Sequence, residues 1–150
     1  MIGIGYDSHR FEPGRRLVLG GVEIPHELGL AGHSDADVLT HAVIDALLGA
    51  AGGGDIGTMF PDDDPTWEGA DSIDLLRTVV GTVAGVIVNV DATVVCEQPR
   101  LGPHRAEIER VLGEVTSARV SVKATTNEGM GWIGRGEGIA CLAVAQVEVE

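Results

Sequence analysis

Apolar side chains recur at helical spacing in the stretch after residue 37, and this pattern predicts an amphipathic helix. The apolar positions are Val38, Leu39, Ala42, Ala46 and Leu47. Ser34 is a suitable N-cap, and Asp37 three residues later is placed to close a variant of the capping box. We expect this helix to run to about Ala51, where Gly52 provides a left-handed C-cap.

Short runs rich in Val, Ile and Leu predict strands at residues 1–6, 17–19, 22–24, 86–97, 120–123 and 139–149. Residues 12–15 form a turn, Gly20 and Gly21 join the second and third strands as a hairpin, and residues 25–32 form a loop. A second helix is expected from residue 71 or 72 to about residue 84. A third begins at Pro103, after a turn at 98–103, and ends near Gly113. Residues 52–70 and 125–138 suit no regular element.

Strands and helices alternate in this pattern without a strict βαβ rhythm, and no repeat or linker interrupts them. The sequence therefore predicts an α+β fold, with a mixed β-sheet and helices on one face. A length of 150 residues is typical of one domain, which we expect to span residues 1–150. Because only 3% of the residues are aromatic, the core must be built mainly from Val, Ile, Leu and Ala.

Charge and cysteine usage narrow the class of protein. The formal net charge of −13 disfavours nucleic acid as a partner and means that a phosphate ester would need metal ions and backbone N–H groups to hold it. Cys96 and Cys141 lie in apolar runs and are expected to be buried free thiols in a reducing compartment, with a disulfide as the alternative. Nothing resembles a signal peptide, and no apolar run reaches transmembrane length, so we expect a cytoplasmic protein without membrane contact.

A metal site is predicted where the helix meets the first strand. Asp37, His41 and Asp45 are spaced four residues apart and form one polar stripe along the helix. Asp7 and His9 are two apart on the strand, so both side chains point to one face and can meet His41. One carboxylate and two imidazoles suit Zn²⁺ or another divalent transition metal, with a fourth position open. The alternative is that His9 caps a loop and His41 is a satisfied buried histidine. Asp45 is either an acceptor for His41 or a solvent-facing carboxylate.

Two further stretches carry groups that could bind ligands. The loop at residues 55–64 has carboxylates that can accept hydrogen bonds from a polyol, although an ordinary acidic surface loop explains it as well. Thr125 and Thr126 can hold phosphate oxygens, and Glu128 can bind a hard cation such as Mg²⁺. The alternative for these three residues is a plain polar turn. The glycine-rich segment 132–138 indicates close backbone packing.

Taken together, these residues closely resemble the 2-C-methyl-D-erythritol 2,4-cyclodiphosphate synthase family over essentially the whole chain. The motifs that carry the resemblance are Asp7-x-His9, His33-Ser34-Asp35-x-Asp37, His41, Asp55-Ile56-Gly57, Phe60-Pro61-Asp62, Ala70-Asp71-Ser72, Asn89-Val90-Asp91, Lys123-Ala124-Thr125-Thr126 and Gly134-Arg135-Gly136-Glu137-Gly138-Ile139-Ala140. The resemblance implies an enzyme of the non-mevalonate isoprenoid pathway, a phosphorus–oxygen lyase. It would convert 4-diphosphocytidyl-2-C-methyl-D-erythritol 2-phosphate to the cyclic diphosphate and CMP. It also implies a homotrimer around a three-fold axis, with active sites between subunits.

The same resemblance implies a role for individual residues. Asp7, His9 and His41 would hold Zn²⁺, Glu128 would hold Mg²⁺ or Mn²⁺ against the substrate diphosphate, and His33 and Thr126 would assist the transition state. Substrate contacts would come from Ser34, Asp55, Ile56, Gly57, Phe60, Pro61, Asp62, Asp63, Asp64, Cys96, Glu97, Gln98, Pro99, Arg100, Leu101, Gly102, Thr125, Trp132 and Arg135. The residues from Cys96 to Gly102, with Thr125, Thr126 and Trp132, would form the cytidine side, partly from a neighbouring subunit.

Arg135 and Glu137 match residues near the axial cavity, where an isoprenoid diphosphate is a candidate ligand. The chain departs from the common family pattern at Asn127, at Gly129-Met130 and at Trp132. Two other functions suit the same metal ligands: a phosphohydrolase that uses a metal-bound water, and a non-catalytic metal-binding trimer that carries isoprenoid diphosphates.

Overall fold

The computed structural model describes residues 1–149, which form seven strands, five helices and two 3₁₀ turns. The strands are β1 (Ile2–Pro13), β2 (Leu17–Leu19), β3 (Val22–Ile24), β4 (Leu28–Leu30), β5 (Val86–Val95), β6 (Arg119–Thr125) and β7 (Gly138–Glu148). The helices are α1 (Val38–Ala51), α2 (Ile56–Met59), α3 (Ser72–Thr82), α4 (Arg105–Thr116) and α5 (Gly131–Gly134), and the 3₁₀ turns are Pro65–Trp67 and Gly102–His104. Within residues 1–149, every helix is too short or too polar to cross a bilayer.

Five of the strands form one mixed sheet in the order β4-β1-β7-β5-β6, and β2 pairs with β3 in a separate hairpin. β5 and β6 run parallel, whereas the other neighbouring strands in the sheet are antiparallel. Helix α1 packs on β1 and β7, α4 packs on β6, and α3 packs on α1. The predicted α+β fold, a mixed sheet with helices on one face, is confirmed.

Helix α1 lies directly on the backbone of β1. A Cβ atom added to Gly5 would be 1.9 Å from the carbonyl oxygen of Ala42, and one added to Gly3 would be 1.9 Å from that of Ala46. Such distances are far shorter than any packing contact, so only glycine permits this approach. The contact holds the helix so close to the strand that His41 comes within reach of Asp7.

The start of α1 differs from the prediction. The N-cap is Asp37, not Ser34, and the helix begins at Val38. The Asp37 carboxylate is fully buried and accepts hydrogen bonds from the N–H groups of Thr40 (2.9 Å), Gly20 (2.9 Å) and Gly21 (2.8 Å). Burial raises the pKa of Asp37, an effect that these N–H donors oppose. The capping box is therefore wrong: Asp37 caps the helix itself and ties it to the turn of the β2–β3 hairpin.

Several other boundaries also differ. Strand β1 continues to Pro13 instead of ending at Tyr6, because it pairs with β7 as far as Arg10 and then with β4. Strand β4 lies within the predicted loop 25–32. Helix α3 ends at Thr82 and α4 continues to Thr116. The stretches predicted to be irregular contain α2, one 3₁₀ turn and α5.

The core consists mainly of Val, Ile, Leu and Ala, as predicted, and Phe60 is the one aromatic residue among its buried members in residues 1–149. Cys96 and Cys141 are buried and free, which confirms the prediction. Burial raises the pKa of Cys96 to about 11 and raises that of Cys141 as well, so neither residue is a thiolate at neutral pH.

The sheet face opposite the helices is exposed, and it is apolar where β1 pairs with β7. Ile4 pairs with Val144 and Tyr6 with Leu142, and between 40% and 69% of each of these residues is open to solvent. A solvated sheet face normally carries polar side chains. This surface, which we call the open sheet face, therefore has the character of an interface.

The contact between α1 and β1 predicts a sharp difference between two glycine substitutions. Gly5→Ala should lower the free energy of unfolding by about 3 kcal/mol, because backbone atoms of α1 must move to admit the methyl group. Gly81→Ala, near the exposed end of α3 where no atom lies within 4 Å of the new Cβ, should be neutral or stabilising by up to about 1 kcal/mol. Urea unfolding at one fixed protein concentration measures both. Equal stability of the two variants would contradict the packing described here.

Candidate active site

Asp7, His9 and His41 converge as predicted. Nε2 of His9 lies 2.8 Å from Oδ2 of Asp7, and Nδ1 of His41 lies 3.1 Å from the same oxygen. The two imidazole nitrogens are 3.3 Å apart. Within residues 1–149, these three side chains are the group of acidic, histidine or cysteine residues whose ligand atoms all lie within 4.8 Å of one another. One carboxylate and two imidazoles so arranged fit a divalent metal ion.

Each histidine points its other nitrogen away from this group. Nδ1 of His9 donates to the carbonyl oxygen of Ala31 at 2.7 Å. Nε2 of His41 lies 2.8 Å from Oγ of Ser72 and 3.2 Å from Oγ of Ser34. The alternatives for His9 and His41 are thus partly right, since both have ordinary hydrogen bonds, but these leave one nitrogen of each ring directed at Asp7.

Asp45 is not the hydrogen-bond acceptor of His41. Its Oδ1 accepts a hydrogen bond from the N–H of Ile56 at 2.8 Å, and the side chain is half-buried between α1 and the start of α2. Neither interpretation of Asp45 from the sequence is correct. The residue that contacts His41 on its outer side is Ser72, whose position 31 residues away leaves no signal in the helical spacing.

The electrostatics of the group follow from its compactness. Burial alone would raise the pKa of Asp7, but hydrogen bonds from His41 and His9 outweigh it and bring the pKa down to about 2. Burial alone would lower the pKa of His9, and the hydrogen bond to Asp7 with its negative charge raises it instead. A metal ion that binds here replaces the proton held between these residues, so metal binding releases protons.

A cavity of about 200 Å³ opens beside Asp7, His9 and His41, the three candidate metal ligands that we call the metal group. Several residues that the resemblance singles out line it: His33, Ser34, Ile56, Gly57, Phe60 and Asp62. His33 and Ser34 come from the segment before α1, and the others come from α2 and the loop after it. Nε2 of His33 lies 3.3 Å from the carbonyl oxygen of Asp64, which ties the two sides of the cavity together.

Other residues of the acidic loop have local structural roles. The carboxylate of Asp55 caps α2 by accepting from the N–H of Thr58 at 2.7 Å, and that of Asp64 accepts from the N–H of Thr66 at 2.9 Å. Pro61 and Asp63 lie in the same loop, outside the cavity lining. The structure therefore places Asp55 and Asp64 as residues that shape the loop.

A second cavity, of about 230 Å³, lies where β5 and β6 end side by side. Its lining includes Cys96, Glu97, Pro99, Arg100, Leu101, Thr125 and Thr126, with Gln98 and Gly102 adjacent in the chain. The parallel pairing of Val95 with Thr125 brings these two segments together. Most of the residues expected on the cytidine side thus line one cavity, and Gln98, Gly102 and Trp132 do not.

Glu97 anchors the loop that follows β6. Its Oε1 accepts hydrogen bonds from the N–H of Asn127 at 3.0 Å and from that of Gly129 at 3.2 Å. Oγ1 of Thr126 accepts from the N–H of Glu128 at 3.2 Å, and Glu128 itself is exposed with a φ of 53°. The sequence indicated Glu97 only as a substrate contact, because nothing in the spacing shows that its carboxylate reaches a loop 30 residues later.

The residues that depart from the common family pattern lie in the loop after β6 and in the short helix α5 that follows it. The Asn127 amide donates to the carbonyl of Met130 at 2.8 Å, which closes the turn. Trp132 lines a third cavity with Ser8, His9, Arg10 and Glu137. Nε of Arg135 donates to the Glu137 carboxylate at 2.7 Å on the surface. Within one chain, Trp132 is therefore separate from the cavity at the end of β5.

The cavity beside Asp7, His9 and His41 and the cavity at the end of β5 lie at the same level of the sheet but on different strands. The register aligns Asp7 of β1 with Cys141, Cys141 with Val94, and Val94 with Ala124 of β6. Three strand spacings separate β1 from β6, a distance of about 14 Å. Within a single chain, the cavity beside the metal group is therefore too far from the cavity at the end of β5 for the two to adjoin.

Comparison with known proteins supports one family. The family model described as "YgbB family" matches residues 1–148. The 2-C-methyl-D-erythritol 2,4-cyclodiphosphate synthase of Symbiobacterium thermophilum is 62% identical over 98% of this chain and 98% of the relative, and that of Syntrophomonas wolfei is 55% identical over the same shares. A solved 2C-methyl-D-erythritol-2,4-cyclodiphosphate synthase in a CDP-bound form is 36% identical, with a TM-score of 0.89, and the match covers 99% of this chain and 100% of that one.

These matches extend over nearly the full length of the chain and of its relatives, and the metal group and both cavities lie within the matched residues. The resemblance read from the motifs is confirmed: this chain belongs to the YgbB family, the family of its 2-C-methyl-D-erythritol 2,4-cyclodiphosphate synthase relatives.

Proposed function

We propose that this chain is a phosphorus–oxygen lyase that converts 4-diphosphocytidyl-2-C-methyl-D-erythritol 2-phosphate to 2-C-methyl-D-erythritol 2,4-cyclodiphosphate and CMP. The observation that carries the proposal is the convergence of Asp7, His9 and His41 beside a cavity lined by His33 and the loop around Gly57. The names of the relatives and the CDP-bound structure supply the substrate class. We further propose that residues 1–150 act as one domain, in the cytoplasm, where the two free thiols would stay reduced.

The reaction is an intramolecular phosphoryl transfer. An oxygen of the 2-phosphate forms a bond to the β-phosphorus of the same molecule's CDP group, and the bond from that phosphorus to the oxygen of the α-phosphate breaks. CMP leaves with the bonding electron pair, and no atom of water or protein enters the product. Both reacting groups are anions, so catalysis depends mainly on charge neutralisation and alignment.

The donor set of Asp7, His9 and His41 fits Zn²⁺, and Glu128 fits Mg²⁺ or Mn²⁺ held jointly with the diphosphate. Bound cations supply the positive charge that a chain with net charge −13 lacks near its substrate. Glu128 suits this role because it is exposed and its backbone conformation is fixed by the hydrogen bond from its N–H to Thr126.

The polar residues around the cavity would orient the reacting groups. Because Oγ1 of Thr126 accepts the N–H of Glu128, its own proton is free to be donated to a phosphate oxygen. His33 and Ser34 would contact the 2-phosphate end, beside the polyol contacts of Gly57 and Asp62. Fixing both ends of the substrate aligns the attacking oxygen with the phosphorus.

We also propose a homotrimer whose subunits share each active site. The cavity at the end of β5, where Arg100 and Thr125 would hold the cytidine group, is about 14 Å from the metal group of the same chain. A neighbouring copy packed through the open sheet face would bring its metal group next to this cavity. Trp132 and Arg135 would then lie near subunit boundaries, with Arg135 beside an axial cavity that an isoprenoid diphosphate can enter.

The decisive test follows CMP release and the fate of solvent oxygen. Purified protein loaded with Zn²⁺ and Mg²⁺ should release one CMP per substrate in ¹⁸O-labelled water and form a cyclic product without ¹⁸O. His41→Ala should lose both metal and activity. Incorporation of ¹⁸O would instead identify a phosphohydrolase, and metal binding without CMP release would leave only the carrier function.

Substitutions of Glu128 and Thr126 should impair turnover in different ways. Glu128→Gln keeps the side-chain shape but removes the charge, so it should raise the Mg²⁺ or Mn²⁺ concentration needed for turnover while Zn²⁺ stays bound. Thr126→Ala removes a hydrogen bond to a charged oxygen, worth about 1.5–3 kcal/mol, and should slow turnover roughly ten- to a hundredfold without changing the metal requirement. Metal titrations of kcat separate the two effects. An unchanged metal dependence in Glu128→Gln would show that Glu128 is not a metal ligand.

The trimer is tested on the open sheet face. The wild-type protein should sediment at three times the 15.6 kDa mass of the protomer. Leu142→Lys should shift it towards monomer, because Leu142 lies between Tyr6 and Thr93 and the change buries a charge in an apolar contact. Thr78→Lys adds the same charge to an exposed position on α3 and should leave the trimer intact. Sedimentation equilibrium measures all three proteins, and a monomeric wild type would rule out the shared site.

A further inference from the structure

The polar chain on the outer side of His41 runs through two residues that have not been assigned a role. Nε2 of His41 is 2.8 Å from Oγ of Ser72, and that hydroxyl is hydrogen-bonded to Oδ1 of Asp35. Ser72 is fully buried at the first position of α3, and Asp35 lies in the segment before α1. These contacts link the metal group to a second helix.

The hydrogen-bond directions in this chain are fixed by what each atom can do. The ionised carboxylate of Asp35 can only accept, and it also accepts from the N–H of Ser72 at 3.0 Å and from that of Asp37 at 3.1 Å. The single hydroxyl proton of Ser72 therefore points to Asp35. A lone pair of Ser72 then faces His41, so Nε2 of His41 must be the donor.

This direction determines which nitrogen of His41 can bind a metal. With one proton held on Nε2, the proton that His41 shares with Asp7 is on Nδ1, 3.1 Å from the carboxylate oxygen. When a cation displaces that proton, the neutral ring presents the lone pair of Nδ1. His9 reaches the same result with the opposite nitrogens, because its Nδ1 donates to the carbonyl of Ala31 and its Nε2 faces Asp7. A carbonyl and a hydroxyl whose proton is held elsewhere both act as acceptors only.

We propose that Ser72 and Asp35 are positioning residues for the metal site: Asp35 orients the Ser72 hydroxyl, and the hydroxyl holds His41 in the tautomer and ring orientation that present Nδ1 to a divalent cation. The proposal rests on the metal role given to His41 under the proposed function. Acceptors of this kind beyond a metal-ligating histidine typically change metal affinity by 10- to 100-fold when they are removed.

The hydrogen bond between Ser72 and His41 is not explained by the capping of α3. Asp71 already caps that helix by accepting from the N–H of Ile73 at 2.8 Å, so Ser72 is not needed as its N-cap. Ser34 also places a hydroxyl near Nε2 of His41, but at 3.2 Å, and its oxygen accepts from the N–H of Ala36. Ser34 thus provides a matched control from the same side of the ring.

The experiment measures Zn²⁺ affinity by chelator competition without substrate, together with the Nε2–H signal of His41 in Zn²⁺-loaded protein carrying ¹⁵N-labelled histidine. The wild type should bind Zn²⁺ and show a slowly exchanging Nε2–H proton. Ser72→Ala should bind Zn²⁺ 10- to 100-fold more weakly and lose the protection of that proton. Ser72→Thr retains a hydroxyl and should recover most of the affinity, and Ser34→Ala should stay within about threefold of the wild type, well below the effect of losing the acceptor itself.

Three results would overturn the proposal. They are a Ser72→Ala variant with wild-type Zn²⁺ affinity, a protected Nε2–H proton that persists in that variant, and a larger loss in Ser34→Ala than in Ser72→Ala. Each of these leaves the metal site standing. A wild type that binds no divalent ion would instead reject the metal role of His41, and the positioning role would fall with it. CMP-release measurements are not involved, so the two failures are told apart.

Discussion

The site depends on the contact between the backbone of α1 and that of β1. Gly3 and Gly5 bring the carbonyl oxygens of Ala46 and Ala42 to the surface of the strand, with no side chain between them. His41, one residue before Ala42, is thereby placed beside Asp7, two residues after Gly5. A side chain at either glycine would move the helix away from the strand and separate the imidazole from the carboxylate. The metal group is therefore a consequence of how closely two backbones pack.

A second constraint comes from the charge of the chain. Because the net charge is −13, an anionic substrate would be repelled unless the nearby carboxylates are each neutralised by hydrogen-bond donors. Asp37 is fully buried and satisfied by three N–H groups, and Asp35 receives two N–H groups and a hydroxyl. Asp45 and Asp55 are likewise committed to backbone donors around α2. Of the acidic residues near the cavity, Asp7 is the one that shares its oxygen with both imidazoles, which makes it the natural ligand for a cation.

The sequence predicted the parts of the site that depend on local periodicity. Asp7 and His9 share a strand face because side chains alternate, and the helical pattern after residue 37 correctly placed His41 on α1. What it missed depends on contacts between distant segments. Nothing in the pattern near Asp37 shows that the Gly20–Gly21 turn docks on it, so the N-cap was misassigned to Ser34. The four-residue spacing makes Asp45 one candidate acceptor for His41, whereas the actual partner, Ser72, is supplied by another helix.

The distance between the cavities is the reason to propose more than one chain per active site. The metal group is on β1, near one edge of the sheet, and the second cavity is at the end of β6, at the other edge. Strands β7 and β5 lie between the two cavities and keep them apart, and their inward side chains form part of the core. The outward side chains of β7 include the exposed Leu142 and Val144, and in the proposed trimer their burial against another copy would bring the two kinds of cavity together. In that arrangement, subunit association would stabilise the sheet and complete the substrate site through the same surface. A substitution that breaks the contact at the open sheet face would then remove activity although Asp7, His9 and His41 are unchanged.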